Sequence, residues 1–302
     1  LALTEKYDGV KLTDVKMPIQ SEVVEARTLA PELKAAIDAA YGNIRAFHQA
    51  QMGENGQPVE TQPGVLCWRE SRPIERVGLY VPGGSAPLIS TMLMLGVPAQ
   101  LAGCAEVVVC TPPISDGSVN PAIRYAAAKC GIGRLYAVGG AQAIAAMTVG
   151  TESIPKVDKL FGPGNQYVTA AKEYAGSLGV AMDMPAGPSE VLVLADDSAN
   201  PSFVAADLLS QAEHGPDSQV VLVTTSRRVQ NEVKNELKRQ IRQLERSEIA
   251  STALRSSLSV FFGDIEAAIE FANFYAPEHW IIQTEQADVW ASRVLSAGSV
   301  FV

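Results

Sequence analysis

Gln211 and His214 close an apolar stretch in Ser210-Gln211-Ala212-Glu213-His214-Gly215-Pro216-Asp217. Their spacing puts both on one face of a last helical turn, where they can point at the same object. Imidazole is a common metal ligand and a side-chain amide an uncommon one, and two donors do not make a site. A capped helix end with a satisfied His is the simpler reading of the pair taken alone. A second polar pair stands in Ala276-Pro277-Glu278-His279, immediately before the apolar run Trp280-Ile281-Ile282. A carboxylate beside an imidazole offers two bases whose ordinary pKa values bracket mild acidity, which suits stepwise proton removal or water activation. Neighbours in extended chain point to opposite faces, so this pair needs a turn to converge.

Glycines recur just after apolar runs: Val81-Pro82-Gly83-Gly84-Ser85-Ala86-Pro87, Gly139-Gly140-Ala141-Gln142, Gly162-Pro163-Gly164-Asn165 and Pro185-Ala186-Gly187-Pro188-Ser189-Glu190. In doubly wound sheets ligands bind beyond the carboxyl ends of the strands. Glycines there let backbone N–H groups approach a phosphate, and the next helix supplies its positive end. Such a crevice fits a dinucleotide. Neither G-x-G-x-x-G nor G-x-x-x-x-G-K-[ST] occurs, and any tight βα turn favours glycine, so a phosphate-bearing ligand and plain turns both stay open.

The elements that must position these residues follow from periodicity. Pro201 opens a helix whose buried part is expected to be Phe203, Ala206, Leu208 and Leu209, and Gly215-Pro216 stops it. Leu33, Ile37, Tyr41, Ile44 and His48 form the stripe of another helix, with His48 in a packing role. Residues 1–30 show little periodicity, 53–64 read as a polar turn region, and Val65 to Arg69 as a strand. From Arg76 onward short apolar runs alternate with helix-like segments. The runs are 77–81, 107–110, 135–138, 159–161 and 180–182, then 191–194, 220–223, 258–262, 280–282 and 299–302. This pattern predicts an α/β fold of two tandem Rossmann-like parallel-sheet units, one inserted in the other. The expected division is a larger discontinuous domain, 1–79 with 189–302, and an inserted domain, 80–188, hinged at Pro185-Ala186-Gly187-Pro188.

Bulk composition narrows the class. The chain has 302 residues, 47% hydrophobic and 19% charged, with 24 Lys plus Arg against 33 Asp plus Glu and a net charge of -9. No basic patch points to nucleic acid or a membrane surface, and no apolar run approaches a membrane span. Cys67, Cys104, Cys110 and Cys130 show no C-x-x-C spacing and are expected to be reduced core residues of an intracellular, cytoplasmic protein.

Six ordered segments, VGLYVPGGSAP from Val77, GGAQAIA from Gly139, FGPGN from Phe161, MDMPAGPSE from Met182, LSQAEHGPD from Leu209 and Pro277-Glu278-His279, resemble histidinol dehydrogenase over nearly the whole chain. The resemblance implies a zinc enzyme that oxidises L-histidinol through the aldehyde to L-histidine with two NAD molecules, as a homodimer sharing residues between subunits. It implies Gln211 and His214 as zinc ligands that also contact substrate, and Ser189 and Glu278 as substrate contacts. Tyr80, Gln142 and Asn165 match NAD-contacting positions, and Glu278 and His279 the catalytic pair. It places the remaining zinc ligands, an Asp and a His, beyond the strand ending in Ser-Val-Phe. The sequence begins at Leu1 and stops inside that apolar run, so it is expected to be shortened at both ends, to hold zinc poorly and to turn over slowly. A related zinc dehydrogenase of another small alcohol and a non-catalytic remnant are the alternative readings.

Overall fold

The computed structural model describes residues 1–302 apart from 54–55, 84–87 and 185–188. The end of the first glycine turn and the expected hinge lie outside the described residues. Contacts divide the chain into two compact units, Leu1–Ala186 and Gly187–Val302.

In the first unit, β1 (Lys16–Pro18), an exposed hairpin of β2 (Val59–Gln62) and β3 (Val65–Cys67), and β4 (Arg76–Tyr80) precede β5 (Glu106–Thr111), β6 (Arg134–Ala137), β7 (Lys159–Phe161) and β8 (Ala181–Met182). The main sheet has the order β1-β6-β5-β4-β7-β8. Its strands pair in parallel except β1, which runs antiparallel to β6 with Met17 opposite Leu135. The order reverses between β4 and β7. Alternate side chains of a strand enter opposite faces, and both faces here are covered. Val77 and Leu79 pack with Met92, Leu93 and Tyr125 of the helices Ile89–Ala102 and Pro121–Lys129. Tyr80 packs with Ile144, Met147 and Val168 of the helices Gly140–Val149 and Gln166–Ser177.

The second unit holds β9 (Glu190–Ala195), β10 (Gln219–Thr224), β11 (Leu258–Phe261), β12 (His279–Gln283) and β13 (Ser299–Phe301), in the order β11-β10-β9-β12-β13 with every pair parallel. Val191 and Val193 pack with Leu208 and Val229, and Leu192 and Leu194 with Ile269 and Trp280.

Three expectations need correction. Residues 1–79 do not group with 189–302: β1 pairs with β6, and Ile37 of the helix Pro31–Ala50 packs in the core of the first unit. Sequence periodicity reports strands and helices, not the sheet each one joins. In the helix Pro201–Ala212, Phe203 is 65% exposed and Ala206 is exposed too, whereas Val204, Ala205, Leu208, Leu209 and Ala212 are buried. The spacings 204/208/212 and 205/209 set the packed face. Cys67 lies on the exposed hairpin, while Cys110 and Cys130 are core residues whose thiols burial pushes up, Cys130 to about 12. Among the described residues no helix is long and apolar enough to cross a membrane.

The N-terminal segment is held by a charge pair. Glu25, 5% exposed, accepts from Arg124 Nε at 2.9 Å and Nη2 at 2.8 Å, and from the Gln20 N–H at 2.9 Å. Burial alone would raise its pKa, but these bonds hold the carboxyl below its ordinary 4.5. A depressed folded-state pKa contributes stability above the unfolded value that is lost as pH falls through the folded one. Glu25→Gln is therefore expected to cost about 2 kcal/mol at pH 7. The gap to wild type should narrow in urea melts carried out below about pH 4.

Candidate active site

Helix Pro201–Ala212 crosses from the carboxyl end of β9 back to the amino end of β10, so its last turn arrives at the amino edge of the second sheet. Asn200 caps its start through a bond from the Ser202 N–H, and Pro201 fixes φ for the first turn. Gln211 sits on the final turn and is 8% exposed, with its side-chain nitrogen unpartnered among the described residues. A buried amide N–H left unpaired costs about 1–3 kcal/mol, which suits a nitrogen that donates to a bound substrate; the side-chain carbonyl oxygen is the atom able to bind a metal. His214 Nδ1 lies 2.8 Å from the Ser210 carbonyl oxygen. Donation from Nδ1–H there leaves the Nε2 lone pair for a metal or proton. Among the described residues no group of three His, Cys, Asp or Glu is arranged to hold a metal ion. Gln211 and His214 thus fit part of a zinc shell.

Ser189, half-buried, precedes β9, and its carbonyl accepts from Gln219 N–H at 3.3 Å. Glu278 immediately precedes β12 and His279 begins it, opposite Val191 and Ser299. His279 Nδ1 is 3.3 Å from the Glu190 carbonyl oxygen and 3.8 Å from Glu278 Oε2, and its ring stacks on Phe301 at 6.1 Å. Two residues before the pair, Ala276 ends helix Ile265–Tyr275 at φ 55 and ψ 60, a left-handed conformation that is costly for a residue with Cβ. On the far side, Ser299 N–H donates to the Glu278 carbonyl at 2.8 Å, and a Cβ on Gly298 would sit 2.7 Å from that oxygen. Only glycine lets β13 approach this closely.

These residues stand at the amino ends of β9 and β12, opposite to the edge that the rule for wound sheets favours. The first unit follows the rule. Tyr80 ends β4, Gln142 lies in the first turn of helix Gly140–Val149 after β6, and Asn165 caps helix Gln166–Ser177 after β7. A cavity of about 500 Å³ there is lined by Asp8, Tyr80, Gly83, Pro112, Asn120 and Asn165 among others, a volume in the range of small-ligand sites. Tyr80 Oη accepts from Gly140 N–H at 2.9 Å, and burial raises its pKa. Asn165 Oδ1 accepts from the N–H groups of Tyr167 and Val168, both at 3.1 Å. Its Nδ2 is the end of the side chain left for a ligand.

Two groups missed by sequence reading complete this edge. Lys172, 4% exposed, donates to the Gly162 carbonyl at 2.9 Å and to Asp183, whose Oδ2 accepts from Gly162 N–H at 2.7 Å. The pair holds both the N–H and the carbonyl of Gly162. Asp8 is the other, brought in from the N-terminal helix, and an Asp closing a helix against its dipole is the one sequence sign it gave.

A family model described as histidinol dehydrogenase matches residues 1–302. The chain is 56% identical over 297 residues to a histidinol dehydrogenase of Bacteroides fragilis, covering 98% of this chain and 69% of that protein. It is 54% identical over 301 residues to one of Xylella fastidiosa, covering 99% of this chain and 70% of that protein. A crystal structure of histidinol dehydrogenase from Elizabethkingia anophelis superposes with a TM-score of 0.95 at 53% identity, covering 99% of this chain and 69% of that one.

Proposed function

The chain belongs to the histidinol dehydrogenase family, and from that premise we propose that it oxidises L-histidinol through L-histidinaldehyde to L-histidine in two NAD-dependent steps at a zinc site. The match of the family to all of residues 1–302 carries this reading, and the geometry supports the roles. Zinc, when bound, supplies a Lewis acid that fixes the substrate's imidazole and amine, and NAD supplies the hydride acceptor for each step. Gln211 and His214 would hold zinc and touch substrate, two of the three or more protein ligands that such a site takes. Ser189 contributes a hydroxyl to the same substrate.

His279 removes the carbinol proton as the carbon gives up hydride. With Nδ1 turned to Glu190 and Glu278, Nε2 is its basic atom. Glu278 then takes a proton from water as the water oxygen bonds the aldehyde carbon, and the proton His279 took in the first step passes to the former carbonyl oxygen. The gem-diol so formed loses a second hydride and a second proton to become the carboxylic acid. Tyr80, Gln142 and Asn165 contact NAD at the carboxyl edge of the first sheet, and both sheets are Rossmann-like in strand order. The protein works as a cytoplasmic homodimer on this small substrate, without nucleic acid or membrane.

Two readouts test this. Histidinol consumption should yield two NADH per molecule, and one or none overturns the reading. His214→Ala should weaken zinc binding, measured by calorimetry, at least about tenfold. Unchanged affinity would remove the metal role.

A further inference from the structure

In sheets that bind dinucleotides, an acidic residue near the end of the second strand accepts hydrogen bonds from the adenosine ribose. The strand in that position here is β5, which lies beside β4 on the side away from the reversal of strand order. It ends at Thr111, and the following Pro112-Pro113-Ile114-Ser115 carries no carboxylate; Asp116 comes next, but its Oδ1 accepts from the Ser118 N–H and it is not among the described residues lining the cavity. Thr111 to Ser115 line the 500 Å³ cavity, and Asp8 lines it with them. Asp8 reaches it from far upstream: helix Ala2–Asp8 ends in Gly9 at φ 69, which turns the chain toward β1.

Three features make the Asp8 carboxylate expensive as it stands. Its Oδ2 is shielded from solvent and has no hydrogen-bond partner among the described residues. It closes a helix at the end where the dipole disfavours negative charge. Burial also pushes its carboxyl above the usual range. A group carrying hydroxyl donors would relieve all three. Phosphate would not, because it brings like charge. Among the described residues lining the cavity there is no Lys or Arg to offset such a charge.

Resting on the NAD reading above, we propose that Asp8 accepts hydrogen bonds from the ribose hydroxyls of the adenosine half of NAD and excludes the 2′-phosphate of NADP. The charge that the helix and the cavity fail to compensate then serves specificity, by attraction to a diol and repulsion of a phosphate ester.

The test titrates the 302-residue chain and its Asp8→Asn variant with NAD and NADP by calorimetry. Wild type should favour NAD by at least about tenfold, and Asp8→Asn should lose about tenfold for NAD while holding or improving NADP. A variant that keeps the wild-type NAD to NADP ratio overturns the proposal, as does one that weakens both equally. A measurement needing no variant uses NAD lacking the adenosine 2′-hydroxyl, which wild type should bind about tenfold more weakly than NAD. Equal affinity for the two overturns the assignment. Wild type that binds neither dinucleotide refutes the NAD reading itself, an outcome distinct from a failure of Asp8 alone.

Discussion

Replacing Gly162 by alanine should remove about 3 kcal/mol or more of stability and lower the thermal midpoint by about 10 °C. The residue sits at φ +127, a region essentially reserved for glycine, and an added Cβ would lie 2.1 Å from the Tyr80 carbonyl oxygen. That oxygen is backbone, so relief requires β4 and β7 to move apart at the point where the strand order reverses. Lys172 and Asp183 hold the carbonyl and the N–H of Gly162, which closes the other route of escape. Gly176→Ala is the control: it lies within helix Gln166–Ser177, nothing stands within 4 Å of its added Cβ, and its φ is unremarkable. That change should stabilise by about 1 kcal/mol. Similar melts for the two variants would contradict the account of the Gly162 turn. Because Tyr80 carries both the clashing carbonyl and a hydroxyl bound to Gly140, nucleotide binding should weaken along with stability.

His279→Asn should lower kcat for histidinol by about 10²–10⁴-fold while moving KM little. Asn keeps a polar group opposite the Glu190 carbonyl but has no basic atom where Nε2 stands. A change of less than about threefold, in protein saturated with zinc and NAD, would end the assignment of His279 as the base. Glu278→Gln separates the two oxidations. The first step needs no water attack, so NADH per histidinol should fall from two toward one in single-turnover measurement.

The strand content was legible because parallel strands buried on both faces read as uninterrupted apolar runs. Val107-Val108-Val109-Cys110 and Val191-Leu192-Val193-Leu194 could be little else. β1 escaped because Lys16-Met17-Pro18 is short, edge-placed and half polar. β2 escaped because Val59, Glu60, Thr61 and Gln62 are all exposed, so no face imposes a period of two. The domain grouping failed for a different reason: the pairing of β1 with β6 is a long-range choice that local pattern does not encode. For the site, glycines after β4, β6 and β7 marked the carboxyl edge of the first sheet. The rule that located them points away from Gln211, His214, Glu278 and His279, and family resemblance rather than topology singled these out. Asp8 was missed because the residues that line the cavity with it lie 72 or more positions further along.

The backbone of Glu278 and His279 is fastened on one side to β9, in the middle of the sheet, and on the other to β13. Local openings of a sheet cost far less free energy than global unfolding. The two residues proposed to transfer protons therefore depend on the pairing of β12 with β13 for the position of the Glu278 carbonyl. Loss of the Ser299 to Glu278 bond would blunt chemistry while leaving the helices and the rest of the sheet intact, so inactivation by mild heat or denaturant should run ahead of any loss of secondary structure.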